Sequence, residues 1–529
     1  MVEGPTTDVV VLRVSLIHGA STARPSRVER PQSTAGRNAT RTQRVLGRAA
    51  AGPLQPNLCS FSAAAQDAAP VSSDTEETAT QGVAPELDRG TDREPGHIDQ
   101  RRSPIARFFG VLGPGLVTGA ADDDPSGVAT YAQAGATYGM GMLWTVPVSL
   151  PLMMGVQEIC DRMALATGDS LGKLIRRRFP RAVVAVLGVL VVALIAANCL
   201  NLAADLMAIG QGMQLLHAGP APVWSAVAGI AIVVALLAGS FQAIGRIFKW
   251  LCLFLLVYVA VLFFAHVSWA DVGRGLLGLQ ARLSPAYLGL VVGVLGTSIS
   301  PYMFFWQSAQ RVEELRAEPL EGDLAPPLKD RSRTEARRRL RNGRVDVFTG
   351  MAFSVLIMFA IMAATAATLG AHHRTVSSAA EAARALEPIA GSYAGILFAA
   401  GFIGSGVLAV PILAASGAAG LSGLLGKEWG LDRSPRKAPV FYALLGVGLI
   451  AGTVLSVIGT DPIGLLVLSA IVNGIAAGPF LIVMMLISRD RAIMGRYRNG
   501  RLAAAVGWTT TVIMCAAGGY GIWYTITGG

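Results

Sequence analysis

The chain has 529 residues, of which 52% are hydrophobic and only 15% charged, a balance that points to a polytopic membrane protein. A net charge of +10 would suit a nucleic-acid partner. The positions of the basic residues exclude that reading, because they fall between apolar spans, where the positive-inside rule expects them.

Residues 1–103 are rich in Pro, Ser, Thr, Ala and charge and carry no helical period long enough to bury a core, which predicts a disordered amino-terminal tail. The short apolar run from Val9 to Ile17 contains Arg13 and precedes no small-residue cleavage site, so it does not read as a signal peptide. A start codon assigned too far upstream would leave the same pattern.

From Pro104 onward, residues 104–525 read as one all-α transmembrane domain of eleven spans. They lie near 105–136, 139–163, 182–214, 222–240, 248–267, 284–310, 346–370, 390–425, 438–458, 463–487 and 502–525. Each has room for the roughly 20 helical residues that cross a hydrocarbon core. The first span is interrupted. Phe108 to Ala120 and Val128 to Gly155 carry no charge, yet between them stands Ala121-Asp122-Asp123-Asp124-Pro125-Ser126-Gly127. A charge at mid-membrane costs at least ~2.5–3.5 kcal/mol, so such residues face a cavity or a partner. Proline removes a backbone donor and glycine lets the chain unwind. Together they predict a helix broken at mid-membrane, with carboxylates and bare carbonyls turned into one small space, which is a cation site in outline.

The sixth span is interrupted too, at Leu295-Gly296-Thr297-Ser298-Ile299-Ser300-Pro301-Tyr302. Breaks in spans one and six are the pattern of an inverted repeat of five plus five helices, in which substrate sits between the unwound segments. This predicts a secondary transporter. Charge checks the count. With the tail cytoplasmic, the connections on its side of the membrane carry 26 basic residues against four (Arg274, Arg282, Arg374 and Arg384) on the other. The expected topology is therefore amino terminus inside and carboxyl terminus outside. Were the Asp triplet an ordinary surface loop between two spans, everything downstream would invert and the basic connections would face out.

Several of these segments resemble one family. Gly113-Pro-Gly-Leu, the Asp-Pro break, Ala132-Gln-Ala-Gly-Ala-Thr-Tyr-Gly and Leu143-Trp144 resemble the first helix of the NRAMP divalent-metal transporters. Arg162-Met-Ala-Leu-Ala-Thr-Gly-Asp-Ser-Leu resembles the end of that family's second helix and the loop after it. Ser300-Pro301-Tyr302-Met-Phe-Phe-Trp-Gln-Ser308 stands where the family has Met-Pro-His. The resemblance implies a LeuT-like fold and transport of divalent metal ions, often coupled to protons.

The departures carry the expectation of selectivity. The family's Asp-Pro-Gly-Asn is here Asp124-Pro125-Ser126-Gly127, so the carboxylate is kept and Gly127 replaces an Asn ligand. Ser300 replaces the Met ligand, and Tyr302 the His after the proline. Soft thioether sulfur favours transition metals, whereas carboxylate, hydroxyl, carbonyl and water suit Mg²⁺. The pattern resembles the NRAMP-related magnesium-transporter branch. The expected ligand set is Asp124, Ser300 and the unwound carbonyls near Ala121 and Ile299, with Gly127 leaving room for water. Asp123 is a further candidate ligand, Tyr302 borders the site, and Asn473 in span ten either completes the shell or joins two helices. Asp122, like Asp123, would widen the acidic mouth of the ion or proton path, ligate the ion, or sit in a wet vestibule.

Loss of the titratable His puts proton coupling in doubt. Asn198, Asn201 and Asp205, spaced three and four apart, share one face of span three; they read either as interhelical hydrogen bonding or as an ion or proton path. Gln157, Glu158, Asp161 and Arg162 read as a snorkelling cluster at the end of span two. Gly401 to Gly406 reads as small-residue packing. No cofactor other than the transported ion is expected. The readings weighed are an Mg²⁺ carrier working by alternating access, a proton-coupled Mn²⁺ or Fe²⁺ importer, and an organic-substrate symporter of the same fold. The acidic triplet opposes the last, since a substrate carboxylate wants helix amino termini and no nearby anions. No nucleophile–base pair supports an enzyme. The expected location is a bacterial inner membrane, with the lipid bilayer as the protein's surroundings.

Overall fold

A computed structural model describes residues 113–238, 251–264, 267–318, 325–370, 393–458 and 462–527. The expected tail, the start of the first span and the basic residues Arg246 and Lys249 lie outside the described residues. Among the described residues every regular element is helical. The helices are α1 (Pro114–Asp122), α2 (Pro125–Tyr138), α3 (Thr145–Thr167), α4 (Leu171–Arg178), α5 (Arg181–Leu215), α6 (Ala221–Ala238), α7 (Leu256–Phe264), α8 (Trp269–Leu276), α9 (Pro285–Ser298), α10 (Pro301–Arg316), α11 (Arg333–Thr368), α12 (Tyr393–Leu425), α13 (Pro439–Ile458), α14 (Pro462–Arg489) and α15 (Arg501–Thr527).

Seven spans among the described residues are long and apolar enough to cross a bilayer: α5, α9 with α10, α11, and stretches of α12 to α15. They coincide with expected spans three and six to eleven. α2 and α3 pass the same test only together, bent by 113° through the turn at Gly139–Met142. Of the fourth and fifth expected spans the structure describes only Ala221–Ala238 (α6) and, from 251 on, a stretch including Leu256–Phe264 (α7), residues 239–250 lying outside the described residues.

The expected start of span seven is corrected. Residues 333–344, read from composition as a basic connection, form the first turns of α11. The cause is local: Ser332 Oγ accepts the amide of Glu335 at 3.2 Å, the Ser-x-x-Glu pattern of a capped helix start. Glu335 then takes Arg331 Nη1 at 2.7 Å and Arg339 Nε at 3.0 Å, one turn to either side.

Packing is close where side chains are small. α11 runs against both α1 and α2, and α5 against α12 and α13. A Cβ on Gly119 would lie 2.1 Å from the carbonyl oxygen of Gly350, and one on Gly350 would lie 1.9 Å from that of Gly115. α1 and α11 thus touch backbone to backbone, which only glycine permits in a membrane bundle. Gly401 and Gly406 do pack as small residues: a Cβ on the first would meet the Tyr258 ring at 2.8 Å, and one on the second would meet Ile209 at 2.6 Å.

Candidate metal site

α1 ends at Asp122 and α2 begins at Pro125, so the first interruption is two residues long. Asp124 is the N-cap of α2: its Oδ1 accepts the amide of Gly127 at 2.7 Å and the hydroxyl of Ser126 at 2.5 Å. Asp-Pro is a natural helix start, because the carboxylate satisfies an orphan amide and proline fits the first helical position. The second interruption is equally short. α9 ends at Ser298, Ile299 sits at φ −118° and ψ 56°, and Ser300 precedes the Pro301 that opens α10.

The two interruptions meet. Tyr302 Oη donates to the carbonyl of Ala121 at 3.4 Å, and Tyr131 Oη lies 2.9 Å from Ser298 Oγ. Ala121, expected as an unwound carbonyl, is therefore in the last turn of α1 and already engaged. Ser300 Oγ donates back to the carbonyls of Gly296 at 2.8 Å and Thr297 at 2.9 Å, so its lone pairs are what it can offer a cation. The room expected beside Gly127 is filled by backbone: a Cβ there would lie 2.9 Å from the carbonyl oxygen of Asp122. Glycine at this position serves the close approach of the chain on either side of the break.

The three aspartates diverge. Successive residues at a helix end point in different directions, and Asp122 and Asp123 turn toward Ser354 of α11, at 2.8 Å and 3.5 Å. Among the described residues no three His, Cys, Asp or Glu side chains converge as a preformed metal cage. Several buried oxygens lack a donor. Asp122 Oδ1, Asp123 Oδ2, both carboxylate oxygens of Asp205 and Asn473 Oδ1 are buried and have no hydrogen-bond partner. Asp205, on α5, lies within Coulomb range of Asp124.

The three polar residues of α5 separate into two kinds. Asn198 Nδ2 donates to the carbonyl of Leu413 on α12 at 3.3 Å, and Asn201 Oδ1 accepts from Ser469 on α14. Those two are interhelical hydrogen bonds. Asp205 has none.

A second polar cluster lies at the other end of α1, and the snorkelling expected of Asp161 and its neighbours is corrected by it. Gln157, Glu158, Asp161 and Arg162 are all buried. Asp161 Oδ1 accepts Arg311 Nε at 2.5 Å and Gln307 Nε2 at 3.0 Å; Arg311 Nη2 reaches Asp346 Oδ2 at 3.0 Å. Asp346 in turn accepts the amides of Gly113 (2.7 Å), Gly115 (2.8 Å) and Leu116 (3.2 Å), the free donors of the first turn of α1. Thr118 Oγ1 closes the ring on Gln307 at 2.5 Å. Arg311 and Asp346 were not visible individually in the sequence. The usable signal was Gly113-Pro-Gly-Leu, a buried helix start with no capping side chain of its own.

A family description, natural resistance-associated macrophage protein-like (Nramp), matches residues 115–524. The chain belongs to the Nramp family. Similar relatives are the divalent metal cation transporter MntH of Deinococcus radiodurans, 27% identical over 439 residues, and that of Ralstonia nicotianae, 28% identical over 436. Each match covers 80% of this Nramp chain and 92% of the relative. Among solved structures, an Eremococcus coleocola manganese transporter in complex with an aromatic bis-isothiourea compound superposes with TM-score 0.63 at 17% identity, over 81% of this chain and 89% of that one. A closed nucleobase-cation-symport-1 transporter, Mhp1, gives TM-score 0.51 at 15% identity, over 79% and 91%. At these identities the likeness is one of fold. The protein is a multi-pass integral membrane protein with the fold of these transporters.

Proposed function

We propose that this Nramp protein carries divalent metal cations across a bacterial inner membrane by alternating access, with Mg²⁺ as its cargo. In this reading the bundle is a LeuT-like five-plus-five repeat of eleven spans. Its first and sixth are broken at Asp123-Asp124 and Ile299-Ser300, and the amino terminus is cytoplasmic. The reading rests on the buried carboxylate oxygens of Asp122, Asp123 and Asp205 that have no donor. A buried anionic oxygen left unpaired is strongly unfavourable, and a divalent cation is the partner that would satisfy several at once.

Asp124 would anchor the ion, with Ser300 and the carbonyl of Ile299 completing an all-oxygen shell and Asp205 balancing its charge from α5. Asp122 and Asp123 would have to turn from Ser354 to join. Asn473 supplies a further unpaired oxygen on α14. No thioether enters this shell, and a hard cation that keeps part of its water needs none. The second reading, a proton-coupled Mn²⁺ or Fe²⁺ importer, is favoured by the MntH relatives and by the manganese-transporter fold.

Uptake into proteoliposomes holding the full chain separates the two. Mg²⁺ entry without luminal acidification is expected, falling more than about tenfold in Asp124→Ala, the equivalent of losing ~1.4 kcal/mol or more of ion binding. Mn²⁺ entry with acidification and no Mg²⁺ entry would replace the first reading by the second.

A further inference from the structure

The connection between α3 and α5 carries five basic residues close together: Lys173, Arg176, Arg177, Arg178 and Arg181. Three have carboxylate partners. Lys173 lies 2.6 Å from Asp169 and Arg177 3.6 Å from the same carboxylate, while Arg178 pairs with Asp490. Among the described residues Arg176 and Arg181 have no carboxylate partner. These two line an open groove of about 760 Å³ between the start of α5 and the end of α12. The rest of its wall is apolar, including Val184, Val189, Leu421 and Leu425.

The groove continues onto a hydrocarbon-facing surface. Val189 is 72% exposed and Val192 53% exposed on a helix that carries no charge from Ala182 to Ala204. Its floor is open at Gly188, where an added Cβ would meet nothing within 4 Å. At the rim, the Arg176 guanidinium lies over Gly426 at the end of α12, whose φ of +67° favours glycine. Two unpaired guanidiniums above an apolar trough match one ligand in shape and charge, a phosphate headgroup with acyl chains below it.

We propose that the α5–α12 groove binds one anionic phospholipid of the leaflet on the side of the basic connections, with Arg176 and Arg181 on its phosphate and the acyl chains along Val184, Val189 and Leu425. This site is separate from the metal path and does not depend on which ion is carried. The paired neighbours, Lys173, Arg177 and Arg178, are held by Asp169 and Asp490, which sets the two free guanidiniums of the groove apart from them.

The test is native mass spectrometry of the full chain in detergent, titrated with dioleoyl phosphatidylglycerol and, separately, dioleoyl phosphatidylcholine. One tightly bound phosphatidylglycerol is expected, weakened about 30-fold in Arg176→Gln/Arg181→Gln, the weight of two headgroup contacts. Lys173→Gln/Arg177→Gln removes the same charge from the paired side and is expected to leave binding unchanged. Gly188→Leu fills the trough without touching charge and is expected to lower binding of the same lipid. Equal weakening by the two Gln pairs, equal binding of phosphatidylcholine, or displacement by excess inorganic phosphate would each overturn the proposal. So would full binding by Gly188→Leu.

Discussion

Asp205 is the residue whose surroundings say most about its work. Its neighbours Asn198 and Asn201 are spent on helix–helix hydrogen bonds, while Asp205 is fully buried with both oxygens unpaired. A buried carboxylate without a donor costs stability, and under the proposed function Asp205 bears that cost for the transported ion. Asp205→Asn is therefore expected to hold or raise the thermal midpoint of the ion-free protein, because an uncompensated buried charge is removed. Under the proposed function Mg²⁺ is expected to raise the midpoint of the unaltered chain, and Asp205→Asn to shrink that rise, since ligand stabilisation scales with occupancy. Thermal unfolding of the purified chain with and without Mg²⁺ reads both. A lower midpoint with an unchanged Mg²⁺ shift would make Asp205 structural.

At the scale of elements, α1 is held at its start by a carboxylate and along its length by backbone contact. Asp346 of α11 takes three amides of its first turn, and Arg311 ties that carboxylate to Asp161 of α3. Halfway along, Gly115 and Gly119 lie directly on Gly350. Breaking one partner out of a buried ion network costs about 3–5 kcal/mol, so Asp346→Ala, which also frees three amides of α1, is expected to lower the thermal midpoint far more than Asp346→Asn, which keeps an acceptor for those amides. Gly350→Ala is expected to be severe for a steric reason, its new methyl lying 1.9 Å from the Gly115 carbonyl. Gly519→Ala on α15 meets nothing within 4 Å and serves as the neutral control. Size-exclusion profiles after a heating series compare the four directly, and a Gly350→Ala protein as stable as Gly519→Ala would refute the backbone contact.

At the scale of the molecule, apolar length, helix breakers and the Asp-Pro break were legible because each is a local property of the chain. The direction of the carboxylates was not. Nothing in Asp122-Asp123-Asp124 says that two turn to Ser354, 231 and 232 residues away, or that one oxygen of the third caps α2. Gly127 looked like vacated space and is instead a close backbone contact. The basic start of α11 was hidden by composition, although Ser332 and Glu335 carried its helix signal. Orientation across the membrane is the reverse case, a global property written in a local count. If the basic connections face the cytoplasm, a cysteine placed at Lys329, in a background freed of native cysteines, is expected to react with a membrane-impermeant maleimide only after cells are opened. One placed at Arg282, between α8 and α9, is expected to react on intact cells. The two sites lie on either side of the α9–α10 span, so an odd number of crossings must separate them. Labelling of both from one side would turn that span into a re-entrant hairpin, and with it the inverted repeat, the meeting of two broken helices at mid-membrane and the alternating-access reading would all fall together.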